Sequence, residues 1–273
     1  MADQLSGLSA SEERSWEAAR AGGAGPVTSD ITRLADLVRG ADSVVALTGA
    51  GISVPSGISD FRSPGTGLWE KVDPMEVAHI EVFLRDPARF WGFYGQRFAT
   101  LRDKQPNGAH RALVELERRG RLDAVITQNV DMLHRKAGTE QLVEVHGSIA
   151  ESRCLDCGAC VPLDEARARL ERDGGVPACD CGRPLKPDVV LFGEMLPVEA
   201  IERATALAAG ADLLLCIGSS LEVYPVAGLP GMTLQGGGRL AIVTQGPTPY
   251  DADAEVKLDG DVEDELQALV AAL

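Results

Sequence analysis

No stretch of this sequence comes near the ~18 uninterrupted apolar residues that a membrane-spanning helix needs, so no part of it is expected in a bilayer. Residues 1–29 are polar, carry Glu12, Glu13 and Glu17, and contain no apolar h-region. A secretory signal is therefore not expected, and a cytoplasmic, reducing location is. Positive charge is also scarce: 26 Lys and Arg stand against 41 Asp and Glu, a formal net charge of −15. Binding to a phosphate backbone depends on cations, so direct contact with nucleic acid is not expected. The same charge would attract a cationic partner such as a lysine-rich protein tail, although acidic surfaces also serve solubility alone. Cysteine is nearly confined to one segment. Five of the six lie between Cys154 and Cys181, and Cys216 sits apart in an apolar run. In a reducing compartment such clustering points to metal before disulfide.

What remains is ordinary globular material, 45% hydrophobic and 25% charged over 273 residues, enough for one large domain or a domain with an inserted module. Residues 1–28 read as a flexible tail, because the glycines and Pro26 at 22–26 break any helix begun at 11–20. Residues 31–39 have helical periodicity, with Leu34, Leu37 and Val38 on one face and Gly40 as a stop. Residues 43–48 form a short continuous apolar run, the mark of a fully buried strand. Similar runs recur at 124–127, 189–192, 213–218 and 240–244, separated by helical stretches that include 109–119, 197–209 and 261–272. This alternation predicts an α/β fold, a doubly wound parallel Rossmann-like sheet with helices on both faces. Two segments break it. Residues 61–106 carry Trp69, Phe83, Phe90, Trp91, Phe93, Tyr94 and Phe98 on mostly helical spacing, and 151–187 hold the cysteines. The expected organisation is a sheet domain from 29–150 and 188–273, with a helical insertion at about 61–106 and a zinc-binding module at 151–187.

Several motifs carry candidate chemistry. After the first strand come Gly49, Ala50 and Gly51, a glycine turn that would let the backbone approach a pyrophosphate. Alone it would serve equally as a tight turn, and Val54 stands where the ordinary fingerprint has its third glycine. Asp60, Phe61 and Arg62 place a carboxylate, an aromatic and a guanidinium in sequence, and Gly218, Ser219 and Ser220 form a second small-residue turn after another buried strand. Gln128, Asn129, Asp131 and His134 leave the end of the 124–127 strand, with His146 close behind. Open α/β sheets place their ligand chemistry at such ends. Cys154-x2-Cys157 and Cys179-x-Cys181 have zinc-ribbon logic: two turns deliver four thiolates to a closed, structural site. Unliganded core thiols are the alternative, and Cys160 is a further candidate at equally good spacing.

Taken in order, GAGIS (49–53), SGISDFR (56–62), TQNVDMLH (127–134), HG (146–147), the cysteine pairs, PDVVLFGE (187–194) and GSSLEVYP (218–225) resemble a sirtuin of bacterial type, from about residue 30 to the end. The resemblance implies NAD-dependent removal of acyl groups from protein lysine side chains, giving nicotinamide and O-acyl-ADP-ribose. It implies acyl-lysine proteins or peptides as partners, one structural zinc ion, and NAD in a cleft between the sheet domain and the smaller lobe. Gly49, Ala50, Gly51, Asp60, Phe61 and Arg62 would line the cofactor loop, and Gln128, Asn129 and Asp131 would hold the nicotinamide ribose. Gly218, Ser219 and Ser220 would meet the phosphates or the adenosine ribose, with Asp261 near the adenine. Thr244 stands where the family usually has an asparagine near that ribose.

The residue types suit these roles. An acyl-lysine carbonyl oxygen is a poor nucleophile and must be held in place, and a ribose hydroxyl needs a base with a near-neutral pKa, for which His146 is the candidate. Asn129 can orient hydroxyls or water without titrating, and Asp131 completes the catalytic set. Val190, Phe192 and Gly193 resemble the segment that pairs with an extended substrate peptide. Ala78, Tyr94 and Arg97 resemble the small residue and Tyr-x-x-Arg pair that admit succinyl or malonyl groups in some sirtuins. An aromatic packed in the lobe beside an exposed arginine is the plainer alternative. Ser59 replaces the usual proline, and the second cysteine pair is one residue shorter than usual. Protein ADP-ribosyl transfer and a non-catalytic NAD or ADP-ribose module remain as rival functions. His134 is expected to be structural, and His79 and His110 have no chemical context.

Overall fold

Strand β1 (Val44–Thr48) is buried along its whole length, because it lies between β2 (Ala124–Thr127) on one edge and β7 (Leu213–Ile217) on the other. The computed structural model describes residues 29–60 and 72–273. Within them six strands form one parallel sheet in the order β3-β2-β1-β7-β8-β9, where β3 is Leu142–Glu144, β8 Arg239–Val243 and β9 Ala254–Leu258. Strands buried on both faces need apolar residues at every position, which explains the unbroken runs.

The two faces separate by alternation. Leu213, Leu215 and Ile217 pack with α1 (Ser29–Arg39), α5 (Gly108–Arg118) and α10 (Val262–Ala272) through Leu34, Leu113 and Leu266. Leu214 and Cys216 face the other way, with Ala204 and Ala208 of α8 (Val198–Gly210) and Leu229 of α9 (Leu229–Gln235). Each fully buried leucine contributes roughly 1.5–3 kcal/mol, so these two layers carry the sheet domain.

The chain leaves β1 toward β2 and β3, then returns at β7 and continues toward β8 and β9. The strand order therefore reverses between β1 and β7, and a crevice opens beyond their carboxyl ends.

A smaller antiparallel sheet has the order β5-β4-β6, formed by Gly147–Cys154 (β4), Cys160–Pro162 (β5) and Leu185–Val189 (β6). The strand expected in the parallel sheet at 189–192 is thus corrected: Val189 ends β6 of the small sheet, and Phe192 makes an isolated bridge to His79. Its apolar character comes from packing under a third core rather than from a central strand. That core gathers α2 (Pro74–Val77), α3 (Ile80–Arg85) and α4 (Pro87–Asp103) through Phe83, Phe90, Trp91 and Phe98, together with Ile149, Val189 and Leu191. Trp91 Nε1 donates to Leu185 O at 2.9 Å and joins the helices to the small sheet. Helix α6 (Leu133–Ala137) follows β2, and α7 (Leu163–Asp173) follows β5. No helix among the described residues is long and apolar enough to cross a membrane.

Candidate active site

The two glycine turns at the sheet's reversal point are pressed against each other. Gly49 N–H donates to Ile217 O at 2.9 Å and Gly51 N–H to Gly218 O at 2.8 Å. A Cβ on Gly51 would lie 2.7 Å from Gly218 Cα, and one on Gly218 would lie 2.3 Å from Ile52 N, with Gly218 at φ +59. Neither position tolerates a side chain, so backbone alone faces the crevice there. Ala50–Ser56 is a 3-10 helix rather than an α-helix, and Val54, at the third-glycine position, points outward with 45% exposure.

The loop after β2 is bound onto these turns by side chains. Ser53 Oγ donates to Asp131 Oδ2 at 2.6 Å. Asn129 Nδ2 donates to Gly49 O at 3.0 Å and to Ser53 Oγ at 3.2 Å. Both amide protons of Asn129 are thereby used, and its Oδ1 is left to accept. Gln128 Nε2 donates to Ser219 Oγ at 2.9 Å and joins the same loop to the turn after β7. Burial raises the Asp131 carboxyl above its usual range, against the opposing bonds from Ser53 and Leu133 N–H. Ser53 was not among the expected site residues, although it ends the GAGIS motif. Only its fully buried partnership with Asp131 reveals its part.

His146 enters from the turn between β3 and β4. Its Nδ1 lies 3.0 Å from Gln128 O. A carbonyl oxygen only accepts, so the neutral ring carries its proton on Nδ1 and a lone pair on Nε2. Burial lowers its pKa, and the bond to Gln128 partly offsets this. A neutral imidazole with a basic Nε2 is the form a general base requires.

The remaining expected residues are distributed around this centre. Ala50, Asp60 and Ser220 are half-buried at the crevice turns. Thr244 N–H donates to Leu258 O at 3.0 Å at the carboxyl end of β8. Asp261 caps α10, its Oδ1 accepting from Glu263 N–H at 2.8 Å and Asp264 N–H at 3.2 Å. Phe61 and Arg62, expected in the cofactor loop, lie outside the described residues, as do Trp69 and residues 1–28. Phe192 N–H donates to Ala78 O and Phe192 O accepts from Ile80 N–H, both at 2.9 Å. Val190 N–H is held by His146 O at 2.8 Å, and Gly193 turns the chain at φ +86.

Tyr94 and Arg97 lie within electrostatic reach of each other on α4: burial is the larger influence on both, and the charge of each favours that of the other. Tyr94 stacks on Phe98 at 5.1 Å between centroids, and burial pushes its phenol up to about 12. Arg97 lines a cavity of about 390 Å³ with Gly57, Ile58, Phe93 and Lys104. Ala78 is buried in the same lobe.

The Sγ atoms of Cys154, Cys157, Cys179 and Cys181 all lie within 4.8 Å of one another, with Cys154 and Cys181 at 3.6 Å and Cys157 and Cys179 at 3.5 Å. A tetrahedral zinc with bonds of ~2.3 Å needs sulfurs about 3.8 Å apart, so the donor set fits one structural zinc. Cys160 stands outside the group, exposed, with its thiol toward Gly158 O at 3.7 Å.

A reversal-point crevice of bare backbone, with polar groups suited to a ribose on the loop after β2 and a base held against that loop by Gln128 O, defines an α/β enzyme that uses a dinucleotide. Residues 49–225 match the Sir2 family. A relative named NAD-dependent protein deacetylase, from Sulfolobus acidocaldarius, is 45% identical over 83% of this chain and 88% of that protein. Among solved structures, a Sir2 with deacetylated p53 peptide and 3'-O-acetyl ADP ribose is similar, with a TM-score of 0.85, 38% identity and coverage of 89% of this chain and 98% of that one. Sir2Tm bound to a propionylated peptide has a TM-score of 0.81 at 38% identity, covering 88% of this chain and 97% of that one. The chain belongs to the Sir2 family.

Proposed function

We propose that this protein removes acyl groups from lysine side chains of proteins at the expense of NAD. The observation that carries the reading is the tautomer of His146, fixed by Gln128 O on the loop that also presents Asn129 and Asp131. NAD supplies an electrophilic ribose carbon from which nicotinamide departs. The residues of this chain position and deprotonate. Asn129, with both amide protons committed, offers Oδ1 to a ribose hydroxyl. His146 Nε2 takes a proton from such a hydroxyl, a step worth roughly 10²–10⁴ in rate. The backbone of Gly49, Gly51 and Gly218 and the hydroxyls of Ser219 and Ser220 would receive the phosphates. Thr244 and Asp261, beyond β8 and β9, would lie toward the adenosine.

The peptide would add as an extended strand against the Val190 carbonyl and Gly193, since both backbone groups of Phe192 and the N–H of Val190 are already taken. Arg97 and Lys104, two cations that line the same cavity, support an acidic acyl group such as succinyl as a further substrate.

The test is His146→Ala, assayed with acetyl-lysine peptide and NAD and read by mass spectrometry of peptide and nucleotide. Turnover should fall at least about a hundredfold, with circular dichroism and zinc content unchanged. Near-normal turnover would refute the role of His146. A peptide gaining the mass of ADP-ribose instead of losing its acyl group would refute deacylation.

A further inference from the structure

Lys186, on β6, is only 5% exposed. A lysine so deep in the protein persists only when its ammonium protons are accepted. Its Nζ donates to Val189 O at 2.6 Å and Pro187 O at 3.2 Å, and pairs with Glu194 Oε2 at 2.9 Å. Three donors thus meet three acceptors, all of them within residues 187–194. Glu194 Oε2 also accepts from Leu191 N–H at 2.8 Å, so one carboxylate oxygen joins the ammonium to the backbone. The small sheet gives this segment little support of its own. β6 pairs with β4 from Leu185 to Pro187, and the register shifts before the last pair, Gly147 with Val189, where the strand ends.

The consequence is visible one peptide plane at a time. In the Val189–Val190 plane, Lys186 holds the oxygen and the N–H donates to His146 O at 2.8 Å. In the Leu191–Phe192 plane, the oxygen accepts from Glu194 N–H at 3.0 Å and the N–H donates to Ala78 O at 2.9 Å. The plane between them, Val190–Leu191, has its N–H on the Glu194 carboxylate, while Val190 O has no partner among the described residues. In the Phe192–Gly193 plane the oxygen accepts from Ile80 N–H, and Gly193 N–H is likewise unengaged among the described residues. One acceptor and one donor are therefore left over on a backbone whose planes are pinned from both sides. A carboxylate on the N–H of an amide polarises that amide, which makes Val190 O a stronger acceptor.

We propose that Lys186 and Glu194 are a positioning pair for the acylated peptide: their ion pair locks the planes around Val190, so that its carbonyl is presented, rigid and polarised, to a main-chain N–H of the substrate. The inference rests on the reading of residues 190–193 as the peptide-binding segment and names the side chains that make that segment stiff. A preformed edge binds an extended chain with less ordering cost. Because Val190 N–H holds His146 O, the base and the peptide also share one frame.

The test measures binding of an acetyl-lysine peptide to the full-length, zinc-loaded protein by isothermal titration, for wild type and Glu194→Ala. The peptide is then remade as a series in which one main-chain amide at a time, near the acyl-lysine, becomes an ester and loses its N–H. One ester should weaken binding to wild type about tenfold. Glu194→Ala should bind the all-amide peptide about tenfold more weakly, and the same ester should then cost less than about twofold more. KM for the peptide should rise with Kd, while KM for NAD moves less than about twofold. Equal ester costs in the two proteins, no sensitive position in wild type, or an equal rise in both KM values overturns the proposal. Glu194→Gln, whose amide oxygen still accepts from Leu191 N–H, should recover most of the affinity and the ester sensitivity; failure to recover them counts against it. Removing one partner leaves a buried charge alone, so Lys186→Met/Glu194→Ala stands in, with the same expected losses, if the single variant does not fold. A wild type that binds no acylated peptide refutes the deacylase reading and this inference together, whereas binding without ester coupling overturns the inference alone.

Discussion

Ser53→Ala removes one oxygen that serves two catalytic side chains. Ser53 is fully buried, donates to Asp131 Oδ2 at 2.6 Å and accepts from Asn129 Nδ2 at 3.2 Å. A hydrogen bond to a charged group is worth about 1.5–3 kcal/mol, so we expect about 2 kcal/mol of lost stability and a fall in kcat/KM for NAD of roughly 30-fold. The sign of the pH dependence follows from Asp131. Burial holds its folded pKa above the usual carboxylate range, so ionisation costs the folded state stability as pH rises through that value. The Ser53 bond reduces this cost, and the alanine variant raises the folded pKa further. The stability gap between wild type and variant should therefore be widest at neutral pH. It should narrow as pH falls below the Asp131 pKa and the carboxyl takes up its proton. Urea unfolding from pH 5 to 8, with zinc content checked, measures the gap, and NAD titrations measure the kinetic effect. A gap that is constant with pH, or unchanged kcat/KM, would show that the Ser53–Asp131 bond is not a working part of the site.

Removing zinc with a strong chelator, or Cys181→Ser, should release one metal per chain and lower the melting temperature. The small sheet should lose amide protection before the parallel sheet does, as hydrogen exchange would show. Retention of full stability without metal would exclude a structural zinc. With succinyl-lysine and acetyl-lysine peptides, Arg97→Ala should reduce activity on the succinyl substrate at least about tenfold and spare the acetyl one. Equal effects on both, or none, would remove Arg97 as a selector.

The central strands were legible because burial on both faces leaves an unbroken apolar run, as at Val44–Thr48 and Leu213–Ile217. The edge strands were not. Leu142–Glu144 has only three residues, and Ala254–Leu258 alternates exposed and buried positions, so neither gives such a run. The run at 189–192 misled, since an apolar segment beneath the third core carries the same signal as a buried strand. The cysteine pairs declared themselves by spacing, which is a local property. The bonds within the site are not local. Gln128 meets Ser219 across 91 positions and Ser53 meets Asp131 across 78, and no periodicity encodes such pairings. His110 lacked context for the same reason: the ring it meets, that of His134, lies on another helix.

The stitch between Phe192 and the 78–80 segment has a mechanical consequence. The rail expected to carry the substrate's main chain and the wall expected to bound its acyl tail are joined at Ala78, a wall residue whose carbonyl accepts from Phe192 of the rail. Any rocking of the lobe must carry rail and wall together. A substitution that shifts one will therefore disturb the other, and tolerance for a bulkier acyl group will be inherited along with a changed grip on the peptide.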